Sequence, residues 1–167
     1  MIKIFPSEEL TYYTRQLVEN NNFGQRGYAD GNIQMQYTGM ICENSVRHLL
    51  GLPLVESKGF DGGWDILYKG LKTDIKAMGR KGNPKPDQVN NVYAPQIKYD
   101  NEAYIFCTYN IYKKVVTVCG WIDKPTFLDK AQLLKKGTRV ELGNDKYFIA
   151  RSDSYQIRNN ELNEFTY

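Results

Sequence analysis

Apolar positions along this chain recur with two periods, and each change of period marks a predicted element. Ser7 followed by Glu8 and Glu9 opens a helix predicted over about residues 7 to 20. The Asn- and Gly-rich "NNNFGQRGYADGN" then reads as a loop or arm. In "TGMICENSVRHLLGLP", Cys42, Val46, Leu49 and Leu50 fall at i, i+4, i+7 and i+8, the stripe of an amphipathic helix that Gly51 and Pro53 stop. "GGWDILYKGLKTDIKAMG" switches to a period of two and predicts a hairpin. "GRKGNPKPDQVNN" follows as a loop, with a second helical stretch expected near "APQIKYDN". "AYIFCTYN" and "KKVVTVCGWI" are β-branched and aromatic strands. "KPTFLDKAQLLKKG", with apolar residues at 127, 128, 131 and 134, predicts a helix, "DKYFIARS" a late strand, and "SYQIRNNELNEF" closes the chain. This order implies an α/β (α+β) fold, a central mixed β-sheet flanked by helices. It is one domain over 1–167, with 1–38 as N-terminal helix and arm and 39–167 as core.

The hairpin carries unusual chemistry. With Lys69-Gly70 as a two-residue turn, Tyr68 stands opposite Leu71, Leu67 opposite Lys72, Ile66 opposite Thr73 and Asp65 opposite Asp74. Alternation then places Asp65, Asp74 and Lys76 on one face, and Ile66, Tyr68, Leu71, Thr73 and Ile75 on the other. Facing carboxylates cost a sheet roughly 0.2–1 kcal/mol, and more when partly buried. Asp74→Asn is accordingly expected to leave the metal-free protein no less stable. A divalent cation between the carboxylates would turn that cost into a binding site, and oxygen ligands select Mg²⁺ or Mn²⁺. Glu43, at the edge of the helical stripe on the Val46 and Leu50 side, can pack toward the sheet with its carboxylate reaching the hairpin. His48 falls on the opposite, solvated face.

Composition narrows the options. The chain has 167 residues, 41% hydrophobic and 25% charged, ordinary values for a globular protein. His48 is its one histidine, so histidine-cluster zinc sites are excluded and the available chemistry is that of carboxylates, lysine and tyrosine. Three cysteines without a C-x-x-C pair predict reduced thiols in a cytoplasmic setting. No apolar run has membrane-spanning length, and "MIKIFPSEELTYY" lacks the order of a signal peptide, so no membrane partner is expected. The net charge of +3 is mild, but "GRKGNPKP" and "DKAQLLKKGTR" concentrate basic residues. The 13 tyrosines fit a tyrosine-rich sheet.

An acidic helix residue followed by D-x(8)-D-x-K on a hairpin resembles the PD-(D/E)-x-K nuclease superfamily. The matching residues are Glu43 in "GMICENSVRHLLGLP", Asp65 in "GGWDILYKG" and Asp74-Ile75-Lys76 in "LKTDIKAMG", with Trp64 where the motif's proline stands. The specific match covers about residues 39 to 78. The resemblance implies a restriction-endonuclease-like core and metal-dependent DNA endonuclease activity of a phage, mobile-element or bacterial defence type. It further implies that Asp65, Asp74 and the Ile75 carbonyl bind metal, and that Glu43 binds it directly or through water. Lys76 would then position the attacking water and offset phosphate charge. Gln96, with Gln88 second, would fill the place of a downstream glutamine next to the site. Arg80, Lys81 and Lys85 would contact backbone phosphates. Arg26 and Tyr28 either touch DNA or cap the fold, and duplex cleavage would favour a homodimer or two successive nicks. The competing readings are an inactive nuclease-fold module that binds nucleic acid, an RNase H-like nuclease, which Lys76 argues against, and a structural protein.

Overall fold

The computed structural model describes residues 1–21, 23, 32–56, 62–143 and 145–167. Arg26 and Tyr28 lie outside the described residues. A five-stranded sheet is the frame, with strand order β1 (Ile2–Ile4), β6 (Val115–Asp123), β5 (Ala103–Asn110), β3 (Leu71–Arg80), β2 (Ile66–Tyr68). β3 and β5 run parallel, and the other neighbours are antiparallel. Every residue of β5 is buried, as expected of a central strand covered on both faces. No described helix is long and apolar enough to cross a membrane.

Alternation along the strands sends side chains into two apolar layers. On one face Ile75, Ile105, Cys107, Tyr109, Val116 and Val118 meet α1 (Glu8–Asn20) and α2 (Ile33–Leu49) through Leu10, Ile41, Cys42 and Val46. On the other, Tyr104, Phe106, Cys119 and Ile122 pack with Phe127 of α3 (Lys124–Lys130). Val92 and Ile157 complete this layer from a smaller sheet of β4 (Val89–Tyr93), β10 (Ser154–Arg158) and β7 (Gln132–Leu134). The mixed sheet flanked by helices is thus present. The three cysteines are buried and free.

Local signals were read well where capping and turn chemistry agree with burial. Ser7 caps α1 by accepting from the Leu10 N–H at 3.1 Å, and Gly51, at φ +66°, follows α2. α2 begins at Ile33, capped by Asn32, so the 38/39 boundary falls inside it. β1 likewise belongs to the core sheet. The helix predicted over "KPTFLDKAQLLKKG" is two elements. Asp123 caps α3, which ends at Lys130, and Gln132–Leu134 leaves it to pair with β10. Pairing with a partner far away in the chain overrides the local helical pattern there. The helical stretch near "APQIKYDN" is a 3₁₀ turn, Ala94–Lys98. β1, β4 and β7 are short, and β8 (Arg139–Gly143) pairs only with β9 (Lys146–Ile149), apart from both sheets.

Candidate active site

The hairpin register matches the predicted one: Ile66, Leu67 and Tyr68 stand opposite Thr73, Lys72 and Leu71. Lys69 and Gly70 have φ of +52° and +80°, the two left-handed residues of a type I′ turn. Beyond the ladder the Asp65 N–H still bonds the Thr73 carbonyl at 2.9 Å. The Asp65 carboxylate folds back onto β3 and accepts from the Ile75 N–H at 2.6 Å. The next strand segment therefore binds the carboxylate through its backbone.

Asp74 and Lys76 share the face opposite Ile75. The parallel register sets them beside Tyr104 and Phe106 of β5. Lys76 Nζ lies 2.6 Å from Asp74 Oδ2, with the two side chains 16% and 9% exposed. Such a half-sequestered pair is stronger than a surface ion pair because less water screens it.

Glu43 comes from α2, on the other side of the sheet. Its Oε1 accepts from Arg47 Nε at 2.8 Å. Arg47 also donates to the Asp65 carbonyl at 2.7 Å and to the Pro53 carbonyl at 3.3 Å. Glu43 is thus tied to the hairpin through a planar guanidinium that holds the backbone of Asp65. The i, i+4 spacing of Glu43 and Arg47 was visible in the sequence, whereas the bond to Asp65 was not.

Four further residues, Tyr99, Asn101, Tyr104 and Lys124, gather beside Asp74. Lys124, at the start of α3, donates to the Tyr99 carbonyl at 2.6 Å and to Asn101 Oδ1 at 3.4 Å. Burial pulls its pKa down, against the upward pull of the Asp100 and Asp74 carboxylates. Tyr104 is fully buried, and burial pushes its phenol up to about 12. The Asn101 amide lowers it somewhat, and Asp74 raises it further. Its hydroxyl faces Asn101 but makes no hydrogen bond of good geometry among the described residues. No local pattern announces these groups, because folding brings them in from 25 to 50 positions downstream of Asp74.

Gln96 stands in the 3₁₀ turn that leads to Tyr99 and Asn101. Gly63, two residues before Asp65, lies against Tyr99 so closely that a Cβ there would sit 2.6 Å from the tyrosine's own. The turn is therefore docked at the hairpin's root. No hydrogen bond or ion pair joins Gln96 to Asp65, Asp74 or Lys76 among the described residues. Gln88 instead accepts from the Lys85 N–H at 3.0 Å. Arg80 points inward, with its guanidinium donating to the Val89 carbonyl at 2.6 Å and burial lowering its pKa. Lys81 and Lys85 are exposed, and so is His48.

The oxygen-rich donor set suits a hard cation. Mg²⁺ typically takes one or two carboxylates and completes its shell with water and phosphate oxygens. Asp65 and Asp74 are the hairpin carboxylates that could serve in this way. Among the described residues no group of three or more His, Cys, Asp and Glu side chains is gathered closely enough to hold a metal without such added ligands. No protein-family model, curated protein or solved structure matches this chain.

Proposed function

We propose that this protein is a metal-dependent DNA endonuclease with a restriction-endonuclease-like core, acting on phosphodiester bonds. One observation carries the reading: Asp65 is bound at the Ile75 N–H while Asp74 and Lys76 are paired on the adjoining face of the same hairpin. Asp65 and Asp74, with the Ile75 carbonyl, would hold Mg²⁺ or Mn²⁺, while Glu43, across the sheet, would act on the site through Arg47. Such an ion polarises a phosphoryl oxygen and lowers the pKa of its bound water. Asp74 holds the Lys76 ammonium in place, and substrate binding would give that ammonium a phosphate oxygen or the attacking water as a second partner. A fixed cation there offsets charge that builds on the phosphate in the transition state. Arg47 would hold the Asp65 backbone in register with β3, a positioning role. Gln96, Lys81 and Lys85 are candidates for contact with the DNA strand, while Arg80 is engaged by Val89.

The Asp74–Lys76 pair also supports a second reading, a nuclease-fold module that only binds nucleic acid, because a closed ion pair satisfies both groups without substrate. Cleavage of supercoiled, linear and single-stranded DNA with Mg²⁺ or Mn²⁺, beside EDTA, Asp74→Ala and Lys76→Ala, separates the two. The nuclease reading requires metal-dependent cutting that both variants lose. Lys76→Ala should still bind Mn²⁺ by calorimetry. Cutting that survives Asp74→Ala, or DNA binding with no cutting under any metal, would exclude catalysis at this site.

A further inference from the structure

Among the described residues the hairpin of β8 and β9 belongs to neither apolar layer of the core. It pairs with neither sheet. Its register sets Arg139 opposite Ile149, Val140 opposite Phe148 and Glu141 opposite Tyr147. Arg139, Glu141, Tyr147 and Ile149 therefore share one face, and Val140 and Phe148 share the other. Tyr147, Phe148 and Ile149 are consecutive, yet 52%, 41% and 48% exposed. Folded proteins leave single apolar residues in water routinely, but a contiguous run on both faces of a ribbon marks an interaction surface.

The surrounding charge identifies the occupant. Between residues 135 and 151 the chain carries Lys135, Lys136, Arg139, Lys146 and Arg151 against Glu141 and Asp145 alone. That surplus of three equals the net charge of all 167 residues, so the rest of the chain is neutral overall. The Arg139 guanidinium lies 3.9 Å from the centroid of the Tyr147 ring, and its Nε is 2.6 Å from Glu141 Oε1. The guanidinium is thus held over the ring, with one edge taken by a carboxylate. At the hairpin's foot, Lys136, Tyr147, Ile149 and Arg151 line an open cleft of about 1010 Å³. Protein–protein interface cores are depleted of lysine. Lysine and arginine beside exposed aromatic rings instead suit a strand with phosphates on one side and base faces on the other.

We propose that the β8–β9 hairpin is a DNA-gripping arm whose two faces each pair basic with aromatic groups, Arg139 with Tyr147 on one and Lys146 with Phe148 on the other, while Lys136 and Arg151 add phosphate contacts at its foot. The choice of DNA among polyanions rests on the nuclease reading. The arm is a substrate-binding element, separate from the groups on the β2–β3 hairpin.

The test is fluorescence anisotropy of the full chain with labelled duplex and single-stranded DNA in EDTA, over a salt series, so that no cleavage is needed. Two variants are compared with the parent: Arg139→Ala with Lys146→Ala, and Tyr147→Ala with Phe148→Ala. The charge variant should weaken binding and reduce the slope of log affinity against log salt by about 2, roughly one per lost phosphate contact. The aromatic variant should weaken binding roughly tenfold for each stacked base while leaving the salt slope nearly unchanged. A larger loss on single strands than on duplex would indicate unpaired bases as the target. Arg139→Lys with Lys146→Arg preserves charge and should retain most affinity, which separates an electrostatic role from damage to the fold. The arm is overturned if the parent binds neither form of DNA, or if both alanine variants bind like the parent. It is equally overturned if those variants only dissolve a self-associated parent in sedimentation. A parent that cuts DNA while both variants bind normally removes the arm and keeps the nuclease. Hairpin-dependent binding without cutting keeps the arm and removes the nuclease.

Discussion

Asp74 and Lys76 show how one ion pair changes the sign of an energetic argument. Taken alone, Asp65 facing Asp74 implies that neutralising Asp74 relieves roughly 0.2–1 kcal/mol of repulsion. The 2.6 Å pair with Lys76, in side chains 9% and 16% exposed, opposes that gain. Losing one partner of a buried pair costs on the order of 3–5 kcal/mol, and an exposed pair contributes about 0–1. Asp74→Asn is therefore expected to destabilise the metal-free protein by about 1–3 kcal/mol, read by urea unfolding in EDTA. Unchanged stability would show that water compensates Lys76 fully. Tyr104 supplies a pH dependence on the same face. Its phenol is raised from the ordinary 10 to about 12 because burial disfavours the charged form. The fold therefore favours the protonated form. The associated stability is complete below about pH 10 and is lost as pH rises through about 12. Cys119, raised by burial from 9 to about 11, adds a loss that starts lower, as pH rises from about 9 through about 11. Tyr104→Phe should flatten part of the fall in unfolding midpoint between pH 10 and 12, and should match or exceed the parent in stability at pH 7. A variant with the parental alkaline profile would assign that fall to other groups.

At the scale of elements, the β2–β3 hairpin is defined by its turn and by what grips its root. Gly70 sits at φ +80°, where a Cβ is strained by about 1–2 kcal/mol. Gly70→Ala meets no steric neighbour, so its cost is conformational. It should lower the melting temperature by roughly 2–8 °C for a chain of this size. An unchanged melting temperature would mean that the turn relaxes into another type. At the root, Arg47 ties Glu43, Pro53 and the Asp65 carbonyl together. Lysine cannot reproduce that fork. Arg47→Lys should therefore lower DNA cleavage more than it lowers Mn²⁺ affinity, since both carboxylate ligands remain; an equal loss of both would make Arg47 part of the metal site.

Over the whole molecule, the carboxyl-terminal segment packs onto the sheet face that α1 and α2 cover. Phe165 stacks on Tyr68 with ring centroids 4.8 Å apart, and the Tyr68 hydroxyl donates to the Thr166 carbonyl at 2.9 Å. Toward the other end of the sheet, the Asn163 and Trp121 backbones exchange hydrogen bonds along β6. Phe165→Ala is expected to cost about 3–5 kcal/mol, as truncation of a buried aromatic does. Amide exchange should quicken first around Tyr68 of β2 and Trp121 of β6, the two residues this segment holds. The β8–β9 hairpin, which lies outside both apolar layers, should show no change in that experiment. Equal acceleration at both hairpins would indicate global unfolding instead.

What could be read from residue order alone was whatever obeys a short-range rule. The Lys69-Gly70 turn, the register it sets, the period-two division of Asp65, Asp74 and Lys76 from Ile66, Thr73 and Ile75, and the Ser7 cap all depend on neighbours within a few positions. The tertiary structure decided where distant segments compete. Gln132–Leu134 left a helical pattern because β10 offered hydrogen bonds along its whole backbone. Arg80 turned half inward, its guanidinium donating to the Val89 carbonyl of β4. Arg47, Lys124 and Tyr104 reached the candidate site through contacts that no spacing encodes. The hairpin was legible because its turn and register are local; its surroundings were not, because burial depends on which distant segments the fold lays side by side.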